Sequence, residues 1–128
     1  MNGSLDTNVV LRWLVEDIPA QQVAARELVK GGEYLVSDAA VIEATFALGR
    51  YYRFTRQEQL AVMLGFLSQP TLVCNLLLLS EAFDLYVDHP KLSFEDCYMV
   101  TAAEHADATP LFTFDQKLAS QTSAQLVG

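Results

Sequence analysis

Leu5-Asp6-Thr7-Asn8 lies near the start of the chain, and its pattern recurs at Val41-Ile42-Glu43, Phe94-Glu95-Asp96 and Phe112-Thr113-Phe114-Asp115. In each stretch an acidic residue is fused to apolar residues that belong in a core. A carboxylate beside a buried element is costly unless something compensates it. If Asp6, Glu43, Asp96 and Asp115 meet in space, the natural compensator is a divalent cation. Hard Mg²⁺ or Mn²⁺ prefers carboxylate oxygen and retains waters that can react. The expectation is a metal-dependent hydrolase, provided the fold brings the four together.

Outward from Asp6, the chain alternates short apolar runs with helical periodicities. After a short strand ending at Leu5-Asp6, residues 8–15 put Val10, Trp13 and Leu14 on one side of an amphipathic helix. Pro19 suits the first turn of a second helix, with Val23, Ala24 and Leu28 expected inward and Gly31-Gly32 as its stop. Tyr34-Leu35-Val36 reads as a buried strand. Ser37 then caps a helix reaching about Tyr52, with Val41, Phe46 and Leu48 supplying apolar contacts. Thr55 with Glu58 forms a capping-box pattern before a helix whose expected face is Leu60, Met63, Leu64 and Leu67, closed by Pro70.

Thr71-Leu72-Val73-Cys74 is a third strand candidate, and Leu79, Ala82, Phe83 and Tyr86 mark a helix ending near His89-Pro90. Ser93 opens the last long helix, to about His105. Pro110 to Phe114 is a fourth strand, followed by a short helix from Asp115, and Gln125-Leu126-Val127 adds an edge strand. Strands separated by helices predict an α/β fold, a three-layer sandwich around a mainly parallel central sheet of four to five strands joined by right-handed crossovers. Sites in such sheets lie beyond the carboxyl ends of the strands. Asp6 and Asp115 fall at two such ends, Glu43 in the second turn of the helix after the second strand, and Asp96 in the opening turn of the helix leading to the fourth. All four are expected on one edge.

With 128 residues, 52% of them hydrophobic, the chain suits a single domain over residues 1–128 with ample core material. Its longest aliphatic run, Leu76 to Leu79, is far below the roughly 20 residues that span a bilayer, so no membrane partner is expected. The residues up to Asp6 show no basic region or apolar core of a secretion signal, and Cys74 and Cys97 have no metal-type spacing, so reduced thiols in the cytoplasm are expected. The net charge of −8 argues against a general nucleic-acid coating protein. Positive charge concentrates only at Arg50, Arg53 and Arg56, among Tyr51, Tyr52 and Phe54. That cluster is either a solvated helix end or a contact for phosphate or an acidic partner. His89 and His105 show no metal-ligand pattern.

Each acid also has a plainer explanation. Asp6 before Thr7 and Asn8 suits a helix cap. Ser93-Phe94-Glu95-Asp96 matches a capping pattern with an acid in the first turn. Asp115 can cap the short helix after the fourth strand. Glu43 lies mid-helix and is too far from Ser37 to close its box, so its plain reading is an ion pair with an arginine. Ala39 and Ala47 lie one turn away on either side of it, and Arg50 follows on the same stripe, where it can meet phosphate. Thr113 shares a strand face with Asp115 and can donate its hydroxyl to a ligand carboxylate or a water.

Taken in order, Leu5-Asp6-Thr7-Asn8, Val41-Ile42-Glu43, Asp96 followed by Ala102-Ala103, and Thr113-Phe114-Asp115 resemble the PIN domain family, and the chain's size is similar to its VapC-type toxins. The resemblance covers essentially the whole chain. It implies a metal-dependent endoribonuclease with Asp6, Glu43, Asp96 and Asp115 as its acidic pocket and one or two Mg²⁺ or Mn²⁺ ions. Asp6, Asp96 and Asp115 would ligate metal, and Glu43 would orient a water or bind a second ion. Asn8 and Thr113 match supporting positions. The ion would acidify a water and neutralise the leaving oxygen.

The resemblance also implies an RNA substrate, a cognate antitoxin that blocks the groove, and a homodimer. Arg50 is a candidate RNA or antitoxin contact. Trp13 and Tyr51-Tyr52 are candidate anchors, with Trp13 better suited to the core. One departure is the polar Asn2-Gly3-Ser4, where the family usually has an apolar strand.

Other acidic α/β proteins fit less well. A receiver-like module wants adjacent acids after its first strand and a lysine after a late one, whereas Asp6 has no acidic neighbour and Lys117 follows Asp115 on a presumed helix. A haloacid-dehalogenase-type phosphatase needs a second Asp where this chain has Asn8. A catalytically inactive PIN-like interaction module remains as the binding alternative.

Overall fold

The computed structural model describes residues 1–128 as two compact units, Met1–Leu76 and Leu77–Gly128. In the first unit the order is β1 (Gly3–Ser4), α1 (Thr7–Leu14), α2 (Pro19–Lys30), β2 (Tyr34–Leu35), α3 (Asp38–Arg50), α4 (Arg56–Leu67) and β3 (Leu72–Val73). The second unit has α5 (Leu76–Asp88, whose first residue closes the first unit), α6 (Phe94–His105), β4 (Phe112–Thr113), α7 (Gln116–Gln121) and β5 (Gln125–Leu126). Seven helices, six of them in consecutive pairs, separate strands that pair only in parallel, as the α/β reading expects.

The strands are shorter than the apolar runs that announce them. Within the first unit they form a three-stranded sheet in the order β1-β2-β3, with Gly3 opposite Tyr34 and Leu35 opposite Val73. Within the second, β4 pairs with β5, Thr113 opposite Leu126. Each ladder is extended by single bonds past its ends: Leu5 N–H donates to Leu35 O at 2.9 Å, and Val36 N–H to Val73 O at 2.9 Å. The polar start has its own support. Asn2 N–H donates to Glu33 O at 2.7 Å, and its side-chain oxygen accepts from Glu33 N–H at 2.8 Å. Gly32 permits this approach, because a Cβ there would lie 2.7 Å from the Asn2 oxygen. A side-chain bond thus replaces the apolar packing that the sequence lacks.

Local chemistry sets the helix starts. Ser37 Oγ accepts from Ala40 N–H, and Thr55 and Glu58 close a full capping box. The core of the first unit is built on Val10, Val41, Leu48, Met63 and Phe66, with the Trp13 ring 4.9 Å from that of Phe66. In the second unit, Phe94 packs 4.4 Å from Phe83 and 5.4 Å from Tyr86, while Leu92, Cys97, Val100, Leu118 and Ala124 form a cluster. Cys74 and Cys97 are both free thiols. No helix is long and apolar enough to cross a membrane.

Several helix faces differ from their expected phase. In α2 the buried residues are Ala25 and Val29, whereas Val23 is 63% exposed and Leu28 is also open. The apolar residues of α2 make two adjacent i,i+4 stripes, so periodicity alone cannot choose between them. The choice falls to the end of α1. Gln22 and Arg26 both donate to Trp13 O, at 3.2–3.3 Å, satisfying a carbonyl that a helix terminus leaves unpaired, and the Arg26 guanidinium sits 4.9 Å from the Trp13 ring centroid. That docking turns Ala25 and Val29 inward.

Likewise α1 buries Leu11 rather than Leu14, and α4 buries Gln59 and Phe66 where Leu60 and Leu64 were expected. Gln59 is tolerated inside because its amide donates to Phe54 O at 2.8 Å, next to Gly49, where any Cβ would stand 2.8 Å from that nitrogen. Phe46 of α3, expected inward, is 63% exposed.

Phe66→Ala should cost about 3–5 kcal/mol, the usual range for emptying a buried aromatic site. Val29→Asp should collapse the thermal transition, while Val23→Asp should change stability by no more than about 0.5 kcal/mol. Melting curves of the three variants by circular dichroism check the core and the phase of α2 together.

Candidate acidic site

Asp6 follows β1 and caps α1: its Oδ1 accepts from Val9 N–H at 3.0 Å, which satisfies a backbone donor and leaves Oδ2 outward from the cap. The next residue reaches across the first unit. Thr7 Oγ1 donates to Glu43 Oε2 at 2.6 Å, over 36 positions of sequence. Glu43 is exposed on α3, between the buried Val41 and Ala44. Its partner is therefore a hydroxyl beside Asp6, in place of the arginine that the plain reading supposed. β1 and β2 run parallel, so the helices that follow them, α1 and α3, both begin at the same edge of the sheet, and a side chain from one can meet the other.

Asn8 is exposed and, with Asp6, Val9, Arg12 and Leu28, borders a hollow of about 330 Å³ between α1 and α2. The arrangement at its far end has no counterpart in the sequence pattern. Arg12 Nε donates to Gln21 at 2.9 Å and its Nη1 to Asp17 and to Tyr52, while the Tyr52 hydroxyl donates to Asp17 at 2.7 Å. That hydroxyl, assisted by the Arg12 charge and opposed by partial desolvation, holds the Asp17 carboxyl below its usual range. The same bond, together with burial, pushes the Tyr52 hydroxyl up. Tyr52 is thus tied to the α1–α2 turn. The only signal for this in the sequence was an aromatic hydroxyl just past a helix end, which specifies no partner.

In the second unit, Asp96 is half-buried in the first turn of α6, where its backbone N–H donates to Ser93 Oγ at 3.1 Å; the serine is the cap. Asp115 caps α7, its Oδ1 accepting from Lys117 N–H at 2.9 Å and Leu118 N–H at 3.3 Å. Thr113 Oγ1 accepts from Asp115 N–H at 3.0 Å, so this hydroxyl braces the backbone of the acid and keeps its own proton to donate. The capping role foreseen for Asp6 and Asp115 is real in both, and each uses a single oxygen for it. Arg50 is exposed in the last turn of α3, the helix-end position that suits a cation.

The donor set, carboxylate oxygens with supporting hydroxyls, suits a hard divalent cation. Asp6 and Glu43 belong to the first unit, Asp96 and Asp115 to the second, and within neither unit do three or more His, Cys, Asp or Glu side chains stand together as a metal cage. Cys74 offers no softer ligand: burial, and then the nearby Asp38 charge, push its thiol up.

The family model described as PIN domain matches residues 4–122. No curated protein matches the sequence.

Tyr52→Phe removes the donor that depresses Asp17 and should return that carboxyl toward its ordinary value, as read by a carboxyl-carbon NMR titration. Because the folded value is the lower one, the stabilisation is present above the ordinary carboxylate range and lost as pH falls through the folded value. The stability difference between wild type and variant should vanish at that acid end.

Proposed function

The chain belongs to the PIN domain family, in general a metal-dependent nuclease fold, and we propose from this premise that it is an Mg²⁺- or Mn²⁺-dependent endoribonuclease acting through Asp6, Glu43, Asp96 and Asp115. The observation that carries the reading is the 2.6 Å bond from Thr7 to Glu43. Two acids far apart in sequence are thereby held to one hydroxyl-bearing turn, an arrangement that helix capping alone does not call for.

In this reading Asp6, Asp96 and Asp115 are the metal ligands, and their chemistry fits: Asp6 and Asp115 each commit Oδ1 to a cap and keep Oδ2. A bound divalent ion supplies acidification of water and neutralisation of phosphate charge. The protein's part is orientation and proton handling. Glu43, fixed through Oε2 by Thr7, has Oε1 to accept the proton of the attacking water as its oxygen bonds to phosphorus and the P–O bond to the leaving nucleotide breaks. Thr113 fixes the backbone at Asp115, and Asn8, exposed beside Asp6, is the second supporting residue of this reading. The reading extends to a toxin of the VapC type, held in check by an antitoxin and working as a homodimer. Co-purification with the product of the neighbouring gene tests that partnership.

Asp6→Asn and Asp96→Asn should each lower Mg²⁺-dependent RNA cleavage at least about a hundredfold, a loss of about 2.7 kcal/mol of transition-state stabilisation. Both should fold: Asn is as good an N-cap as Asp, and the α6 cap uses the Asp96 backbone. Wild-type cleavage by both variants rejects the assignment. Mn²⁺ at a hundred times its Kd should stabilise the wild type by about 2.7 kcal/mol. Asp96→Asn should show a much smaller rise in melting temperature, and Thr7→Val should lower metal affinity or activity by roughly 10- to 100-fold, with Thr7→Ser retaining both.

A further inference from the structure

The outward face of α3 holds more than Glu43. Phe46 and Arg50 follow it at i+3 and i+7, one stripe of the helix covering about 10 Å. Phe46 is 63% exposed and Tyr51, just past the helix, 71%. Their rings meet edge to face at 6.4 Å, so two large apolar surfaces lie open side by side. Arg50 and Arg53 are exposed beside them, and Arg53 takes a left-handed φ of 59°, turning the chain sharply after α3. Three other cations are engaged elsewhere: Arg12 with Asp17, Arg26 with Trp13 and Lys30 with Glu27.

We propose that the face of α3 running from Glu43 to Tyr51 binds single-stranded RNA, with Phe46 and Tyr51 stacking on unpaired bases and Arg50 and Arg53 holding phosphates along the path to Glu43. This rests on the nuclease reading for the identity of the polyanion. The chemistry selects a single strand, since exposed aromatic rings offer surfaces to unstacked bases, which an A-form duplex keeps inside. Charge complementarity is local: on a chain of net charge −8, paired arginines mark the end of α3 as a place where phosphate gains from approach. A second copy of the chain suits this face poorly. A twofold contact near Arg50 and Arg53 would bring the same cations of both copies together.

The test uses the full chain carrying Asp96→Asn to silence cleavage, a labelled twelve-nucleotide single-stranded RNA of mixed sequence, and its duplex, read by fluorescence anisotropy. Phe46→Ala with Tyr51→Ala should weaken single-strand binding about ten- to a hundredfold and duplex binding much less, and Phe46→Tyr should retain it. Arg50→Gln should reduce the slope of log affinity against log salt by about 0.7. These side chains are exposed, so matched melting curves will show that the fold is kept. Unchanged single-strand affinity in the double alanine variant overturns the proposal. So does absence of RNA binding in the parent, binding of polyglutamate in preference to RNA, or a shift from dimer to monomer on ultracentrifugation without loss of RNA. The nuclease reading is judged separately: cleavage by the otherwise wild-type chain with KM unaffected by the alanine pair leaves the nuclease standing and rejects this face. Stacking-dependent binding by a chain that never cleaves does the reverse.

Discussion

Four of the five strands are followed by a helix after a link of only two residues: Leu5-Asp6, Val36-Ser37, Cys74-Asn75 and Phe114-Asp115. Such a link can do two things at once. In the first unit its first residue stays near the core, as Leu5 and Val36 do, whereas Phe114 is exposed; its second meets the exposed N–H groups of the coming helix, as Asp6, Ser37 and Asp115 do through side-chain oxygens. Within a sheet, parallel pairing then gathers these junctions at one edge. Side chains that satisfy helix starts thereby lie at that same edge.

This placement makes the two readings of the acids compatible, as caps and as the proposed site. A carboxylate has two oxygens, and the caps at Asp6 and Asp115 each engage one. Capping also fixes the rotamer, which is a form of preorganisation for any ligand of the other oxygen. Glu43 and Asp96 are freed from capping by hydroxyl residues nearby. Ser37 and Ser93 serve the helix ends, and Thr7 turns Glu43 toward the Asp6 junction.

A second theme is that side-chain bonds settle what apolar periodicity leaves open. Arg26 and Gln22 fix the rotation of α2 by capping the end of α1, Gln59 earns a buried place by reaching Phe54 O, and Asn2 holds a strand too polar to pack itself in. Phe46 marks the limit of reading helices by hydrophobicity: an aromatic ring on α3 points to solvent because Val41, Ala44 and Leu48 already fill the buried side.

Much of the fold was legible without coordinates. Capping residues and glycine stops act within a few positions of themselves, so Ser37, Thr55 with Glu58, Ser93 and Asp115 located helix starts, and Gly31 the end of α2, to within a residue or so. The family was legible too, because its motifs keep their order along the chain. The sequence by itself determined the α/β character, the helix starts and the family, since each depends on local backbone chemistry or on the order of residue types along the chain. Only the tertiary structure decided which stripe of α2 is buried, that Thr7 rather than an arginine holds Glu43, and that Tyr52 locks onto Asp17 and Arg12. Each of those depends on a partner many residues away, and its position follows from how the helices dock, which no local periodicity encodes.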